Sequence, residues 1–264
     1  MSFKLCANLN FLFLESNANL LDRIAAAGKA GFRGIEIGYP SEDILEKVVQ
    51  SQKIVGIEVA LLNISTNGGD KYSAGPTSIP GGEEQFKSNL SESINLAKKL
   101  RCKKIHLMAG KQTEKSVGEH HQTYVNNLKL AAKMLAQENL MGVIEPINKY
   151  AVPGYFLNTY NTAIDVLKEV NSPNIKLMID IFHLQHICGN VSNTFKELQP
   201  YIGHIQIAQV PHRHEPDVPG ELDYGYVFEV IKNSGYDDWV GCEYKPKGNT
   251  VDGLGWVSKY GLKL

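Results

Sequence analysis

Eight short apolar runs, rich in branched side chains, recur along this chain and restrict its fold more than any other feature. They read "KLCANLNFLF", "GIEIGY", "IVGIEVALLNI", "KKIHLMAG", "MGVIEPIN", "NIKLMIDIFH", "GHIQIAQV" and "WVGCEYKP". Each is too short for a typical helix and suits a strand. Most are nearly continuous in hydrophobicity rather than alternating, as expected of parallel strands covered on both faces. Segments of helical character separate them. "NANLLDRIAAAGKAGF" puts Leu20, Ile24 and Ala27 on one face and closes on Gly28 and Gly31. "NLSESINLAKKL" aligns Leu90, Ile94, Ala97 and Leu100, and "YVNNLKLAAKMLAQENL" aligns Leu128, Ala131, Ala132 and Leu135. "YGYVFEVIKNSGY" closes on Gly235, and "LQHICGNVSNTFKELQP" is helical but interrupted by Gly189.

Strands alternating with helices at about 33 residues per unit fit the α/β class, and within it a single (β/α)8 TIM barrel. No linker or shift of composition divides residues 1–264, so one domain is expected. An open doubly wound sheet is the runner-up. Against it, no Gly-x-Gly-x-x-Gly follows the first strand, and no phosphate-cradling Gly-x-x-x-x-Gly-Lys-Ser/Thr is present. The net charge of -1 offers no electrostatic footprint for nucleic acid or an anionic membrane. No run approaches the roughly 18 apolar residues of a membrane span. The opening "MSFKLCANLN" lacks the apolar core of a secretory signal, and Cys6, Cys102, Cys188 and Cys242 lie far apart. Reduced thiols and a cytoplasmic location are therefore expected.

In a barrel of this kind the chemistry sits where strands run out into the following loops. Strands five to eight end on Glu145, Asp180, Gln206 and Glu243, each an oxygen donor inside an apolar setting: "VIEPI", "MIDIF", "HIQIA", "GCEYK". A lone carboxylate entering a dry interior costs several kcal/mol, roughly 2 or more. Three aimed into one mouth would also repel each other, and a divalent cation relieves both penalties. Four oxygen donors form a hard set that suits Mg²⁺ or Mn²⁺ better than Zn²⁺. No pair among the histidines makes a convincing zinc site, since His183 and His186 stand three apart, His212 and His214 two apart, and no Cys joins them. His183 follows Asp180 by three residues and His106 ends strand four, so both are candidate substrate contacts. Arg213, just past strand seven, could pair with a substrate carboxylate. His120 and His121 open a helical segment and read as solvated. Residues 65–84, "STNGGDKYSAGPTSIPGGEE", are long for a connection and read as a lid or pocket wall, with a solvated insertion as the alternative.

The runs "IHLMAGK", "EPIN", "DIFHLQ", "GHIQIAQVP", "GELDY" and "GCEYKPKGNTVDGLGW" together resemble hydroxypyruvate isomerase, within the xylose-isomerase-like superfamily of sugar isomerases and epimerases. The resemblance spans essentially the whole chain. It implies a (β/α)8 barrel whose metal is bound by two glutamates, an aspartate and a glutamine or histidine, here Glu145, Glu243, Asp180 and Gln206. It also implies that the two glutamates carry protons. The implied reaction is the isomerisation of hydroxypyruvate to 2-hydroxy-3-oxopropanoate (tartronate semialdehyde) through a cis-enediolate. A related 2-oxo-tetronate or ketose is the alternative substrate, and a zinc-dependent abasic-site endonuclease or a non-catalytic barrel the remote ones. The family's bacterial pattern has a Gly-Asp-Trp run and then a Glu-Arg pair in the long loop, where this chain reads "GDKYSAGPTS". That shifts weight for holding a substrate carboxylate onto Arg213, Lys71 and Lys111. The expected partner is a small 2-oxo acid or sugar-like substrate, with neither nucleic acid nor membrane, and the pattern leaves room for a homo-oligomer.

Overall fold

The computed structural model describes residues 3–15 and 18–264. Asn17, which opens the first helical run, lies outside the described residues. The eight strands are β1 (Lys4–Asn8), β2 (Gly34–Ile37), β3 (Glu58–Asn63), β4 (Lys104–His106), β5 (Met141–Ile144), β6 (Ile175–Asp180), β7 (Ile202–Ile207) and β8 (Trp239–Cys242). They follow one another in chain order and close into a barrel, β8 pairing in parallel with β1. The α/β barrel expected from the eight runs is thus the fold. Its strands are buried along nearly their whole length, with all four residues of β2 and of β8 inside, which is why they read as continuous apolar runs. No helix among the described residues is long and apolar enough to cross a membrane.

The longer helices are α1 (Leu20–Ala30), α2 (Leu45–Val55), α3 (Glu83–Leu100), α4 (Val117–Gln137), α5 (Tyr160–Val170) and α8 (Tyr224–Asn233). Their ends follow local chemistry. Ser116 and Glu119 form a reciprocal capping box at the start of α4, and Asn19 caps α1. Gly189, at φ +60°, divides the sixth helical segment into α6 (Ile181–Ile187) and α7 (Val191–Leu198). A short α9 (Gly255–Lys259) lies near the end of the chain.

Several apolar runs overshoot their strands. "NIKLMIDIFH" leaves β6 at Asp180, whose side chain caps α6, so Ile181, Phe182 and His183 are helical. The "IV" of "IVGIEVALLNI" ends α2, and β3 begins after Gly56 and Ile57. By internal contacts the chain separates into two compact units. One comprises the residues up to Ala60, Asp180–Pro200 and His204–Leu264; the other comprises Leu61–Ile179 and Tyr201–Gly203.

Candidate active site

In the first unit, polar groups gather where strands end. Asp180 closes β6 and is fully buried. Its Oδ1 accepts the backbone N–H of Phe182 at 2.9 Å, the capping bond that starts α6. Its Oδ2 accepts from Nη2 of Arg213 at 2.9 Å and lies 3.6 Å from Nε2 of His183. Glu243 follows β8 directly. Its Oε1 accepts from Nδ2 of Asn8, the last residue of β1, at 3.0 Å, and its Oε2 accepts from the same Arg213 Nη2. Arg213 Nε donates to the Glu243 carbonyl at 3.1 Å, and the guanidinium carbon lies over the rings of Phe11 and Phe182, 4.6 and 4.8 Å from their centroids. Arg213 thus has two of the protein's own carboxylates in its grip. Burial pushes the Asp180 carboxyl above its usual range against the pull of Arg213. Burial raises that of Glu243 too, Arg213 opposing it while Asp180 and Glu36 add to it. One guanidinium is too little charge for the carboxylates assembled around it.

Beneath them lies a residue missing from the candidates above. Glu36, on β2, is buried, and its two oxygens have separate partners. Oε1 meets His204 Nε2 at 2.6 Å and Cys6 Sγ at 3.6 Å. Oε2 accepts from Nε2 of Gln206 and Nδ2 of Asn8, each at 2.8 Å. Burial pushes the Glu36 carboxyl up, but the charge of His204 and the hydrogen bonds from His204, Gln206 and Asn8 outweigh it and hold it below the usual value. Gly241 makes this possible. It pairs with Cys6 and with Gln206 across the neighbouring strands, and a Cβ there would come within 2.0 Å of Glu36 Oε1. Cys6, Glu36 and His204 could in principle hold a metal. The short Glu36–His204 contact and the two amide donors give both Glu36 oxygens hydrogen-bond partners within the protein.

Gln206 supplies the test of whether a cation fits. Its Nε2 is committed to an ionised carboxylate, which can only accept, so the orientation of the amide is settled. Its Oε1, at the other end of the amide, is buried and has no hydrogen-bond partner among the described residues. Buried polar atoms are rarely left so. A hard cation is the partner that an amide oxygen beside carboxylates would suit.

In the second unit, His106 ends β4 and Glu145 follows β5; both are buried, with His106 Nε2 3.7 Å from Glu145 Oε2. Buried Tyr155 accepts the Ala109 N–H at 2.8 Å, and its phenol is pushed far up by burial and by the Glu145 carboxylate, so it stays protonated. Lys111 bridges Tyr155 through its backbone and is exposed. Lys71 is exposed, with Nζ 4.7 Å over the Tyr72 ring.

The long connection is exposed over residues 67–71 but packed inside over residues 75–79. Thr77 and Ser78 are fully buried, and their N–H groups donate to the carbonyls of Met108 and Ala109 at 3.3 and 2.8 Å. Gly75, at φ +120°, lies so close to the Met108 carbonyl that a Cβ would come within 2.2 Å. His120 corrects the expectation of a solvated ring: it is fully buried. Its Nε2 accepts the Thr113 N–H at 3.0 Å and its Nδ1 faces the Ser78 carbonyl at 2.8 Å, which places the ring proton on Nδ1. It ties the connection to α4, as does Asn127, which donates to the Thr77 carbonyl at 2.9 Å. His121 pairs with Glu169 at 2.8 Å and is part-exposed.

A closed barrel of eight parallel strands sets the fold class. The chain belongs to the xylose isomerase-like TIM-barrel family, whose profile matches residues 24–260. It is 38% identical to a hydroxypyruvate isomerase of Escherichia coli strain K12 over 255 residues, 96% of this chain and 98% of that one. It is also 38% identical to a 2-oxo-tetronate isomerase of Cupriavidus necator over 258 residues, 97% of this chain and 98% of the other. A Drosophila melanogaster protein, provisionally described as a hydroxypyruvate isomerase, is 50% identical over the full length of both. A crystal structure of a Brucella melitensis protein described as AP endonuclease, family 2, superposes with a TM-score of 0.91 at 33% identity, covering 97% of this chain and 98% of that one. The resemblance carried by the sequence motifs is borne out, and the chain is an isomerase of this family acting on a small molecule.

Proposed function

We propose that this isomerase interconverts hydroxypyruvate and 2-hydroxy-3-oxopropanoate with a divalent cation, Mg²⁺ or Mn²⁺, held by Glu145, Asp180, Gln206 and Glu243. The observation that carries the reading is the orphaned, buried Oε1 of Gln206, whose amide shares a hydrogen-bond network with Glu36, Asn8 and Glu243. Glu145 joins the set on the sequence pattern, since like Asp180, Gln206 and Glu243 it is an oxygen donor at the end of an apolar run. The chemistry such an ion supplies is polarisation of adjacent carbonyl and hydroxyl oxygens, which acidifies the C–H on the hydroxyl-bearing carbon. Glu145 and Glu243 then move the proton: one carboxylate takes it from the hydroxymethyl carbon to leave a cis-enediolate, and a carboxylate returns one to the former carbonyl carbon. His183, close to Asp180, and His106, close to Glu145, would donate to substrate oxygens. Arg213 would offer charge to the substrate carboxylate once a cation shares Asp180 and Glu243 with it, and the exposed Lys111 would be a further contact. Residues 1–264 would work as one barrel domain in the cytoplasm, and the absence of a basic footprint at net charge -1 speaks for a small acid rather than DNA.

The equal identity to a 2-oxo-tetronate isomerase favours a four-carbon 2-oxo acid as the second reading. One experiment separates them: turnover of a panel of small 2-oxo acids and ketoses by chelator-treated protein, with and without added Mg²⁺ or Mn²⁺. We expect hydroxypyruvate to be turned over best and only with metal restored. Undiminished turnover after metal removal would sink the metal-dependent reading, and a clear preference for the four-carbon acid would install the alternative. Gln206 itself can ligate but cannot carry a proton at neutral pH. Gln206→His should therefore shift metal preference toward softer ions such as Co²⁺ or Zn²⁺ while keeping some turnover. Complete loss of turnover at unchanged metal content would contradict that role.

A further inference from the structure

Glu36 contacts one proposed ligand, Gln206, directly and is linked to a second, Glu243, through Asn8, while being no ligand itself. We propose that Glu36 is a positioning residue that fixes the ligating end of Gln206 and, through Asn8, the carboxylate of Glu243. The inference rests on the reading of Gln206 and Glu243 as metal ligands.

The two ends of a primary amide are nearly identical in shape, so packing alone selects poorly between oxygen and nitrogen. An ionised carboxylate does select, because it only accepts. Glu36 divides its work between its oxygens. Oε1 is held from below by His204 at 2.6 Å and Cys6 at 3.6 Å. Oε2 takes both amide donors, Gln206 Nε2 and Asn8 Nδ2, at 2.8 Å. With Nε2 held, the Gln206 oxygen is left as the unpartnered end. Asn8 is locked from its other side as well, since its Oδ1 accepts the Asn10 N–H at 2.9 Å. Its amide nitrogen therefore bridges Glu36 Oε2 to Glu243 Oε1, 3.0 Å away. One buried anion thus sets the orientation of an amide ligand and steadies a carboxylate ligand. The bare Cα of Gly241 provides the space in which it does so. A glutamine at position 36 would present both a donor and an acceptor and would lose this selectivity. Groups that orient metal ligands from behind typically alter affinity by 10- to 100-fold when replaced.

The test is Mn²⁺ binding to metal-free protein, followed by electron paramagnetic resonance of free Mn²⁺, in the wild type, Glu36→Gln, Gln206→Ala and the double variant. Glu36→Gln should weaken Mn²⁺ by about 10-fold or more. In the Gln206→Ala background the same change should cost much less, because there is no amide left to orient. An equal loss in both backgrounds, or no loss in a folded Glu36→Gln, would overturn the proposal while leaving the ligand assignment intact. Failure of the wild type to bind Mn²⁺ at all would bring down the ligand assignment and this proposal with it. If Glu36→Gln does not fold, Glu36→Asp keeps the charge for His204 while drawing the carboxylate back from Gln206, and the same pattern is expected. The metal-free wild type gives an independent readout. The Gln206 side-chain NH₂ should exchange slowly with solvent in amide-resolved NMR, and rapid exchange would show that Glu36 does not hold it.

Discussion

Replacing Glu145 by Gln, or Glu243 by Gln, is expected to lower turnover of the preferred substrate at least about 10²-fold, the low end for loss of an acid–base group. Gln keeps the size of the side chain and an oxygen that can ligate, but it cannot take up the substrate proton. Metal should still bind, more weakly for want of a charge. The distinguishing measurement is isotope exchange. In D₂O the wild type should wash deuterium into the carbon positions, because a carboxylate shares its proton with water. A variant that still exchanges at one carbon without forming product would identify the carbon served by the remaining glutamate. Near wild-type turnover by either variant at full metal occupancy would refute the two-glutamate mechanism. Product formed without solvent label would point to hydride transfer between the carbons instead.

The second large effect is expected at Arg213. Its guanidinium holds Asp180 and Glu243, neither of which is more than 14% exposed. Removing one partner of a buried ion pair typically costs about 3–5 kcal/mol, because the other charge is left uncompensated. Arg213→Leu should therefore destabilise the metal-free protein by at least about that amount, since the guanidinium contacts with Phe11 and Phe182 go with the charge. A divalent cation at the same carboxylates would supply the missing charge. The loss, followed by denaturant unfolding, should accordingly shrink at saturating Mg²⁺ or Mn²⁺. A loss that is the same with and without metal would show that Arg213 and the cation answer to different carboxylates.

The barrel was legible because parallel strands sandwiched between layers advertise themselves as continuous apolar runs at even spacing. The strand ends were not, because hydrophobicity does not mark where a carboxylate turns to cap a helix. "NIKLMIDIFH" reads as one run, yet the Asp180 cap divides it into β6 and α6. Asp180, Gln206 and Glu243 stood out as polar residues at the ends of such runs, and in the structure they share one network with Asn8, Glu36 and Arg213. Glu36 carries a signal of the same strength, a carboxylate inside "GIEIGY". What hides its role is that its closest partner, His204, lies 168 positions away. Arg213 reads from sequence as a cation for a ligand carboxylate, and only the fold brings it to Asp180 and Glu243. His120 looked solvated because the first turn of a helix usually is. The connection that buries it returns from 42 residues upstream, beyond the reach of any local pattern.

Gly241 ties the history of one position to that of another. With the carboxylate of Glu36 where a Cβ at 241 would have to lie, any larger residue there must push that carboxylate off His204, Gln206 and Asn8. A side chain at position 241 would therefore disturb the network that the glutamate at 36 holds together. The two positions, 205 residues apart and on different strands, are therefore expected to vary as a pair among descendants of this barrel, so that a glycine at the first marks chains that keep the anion at the second.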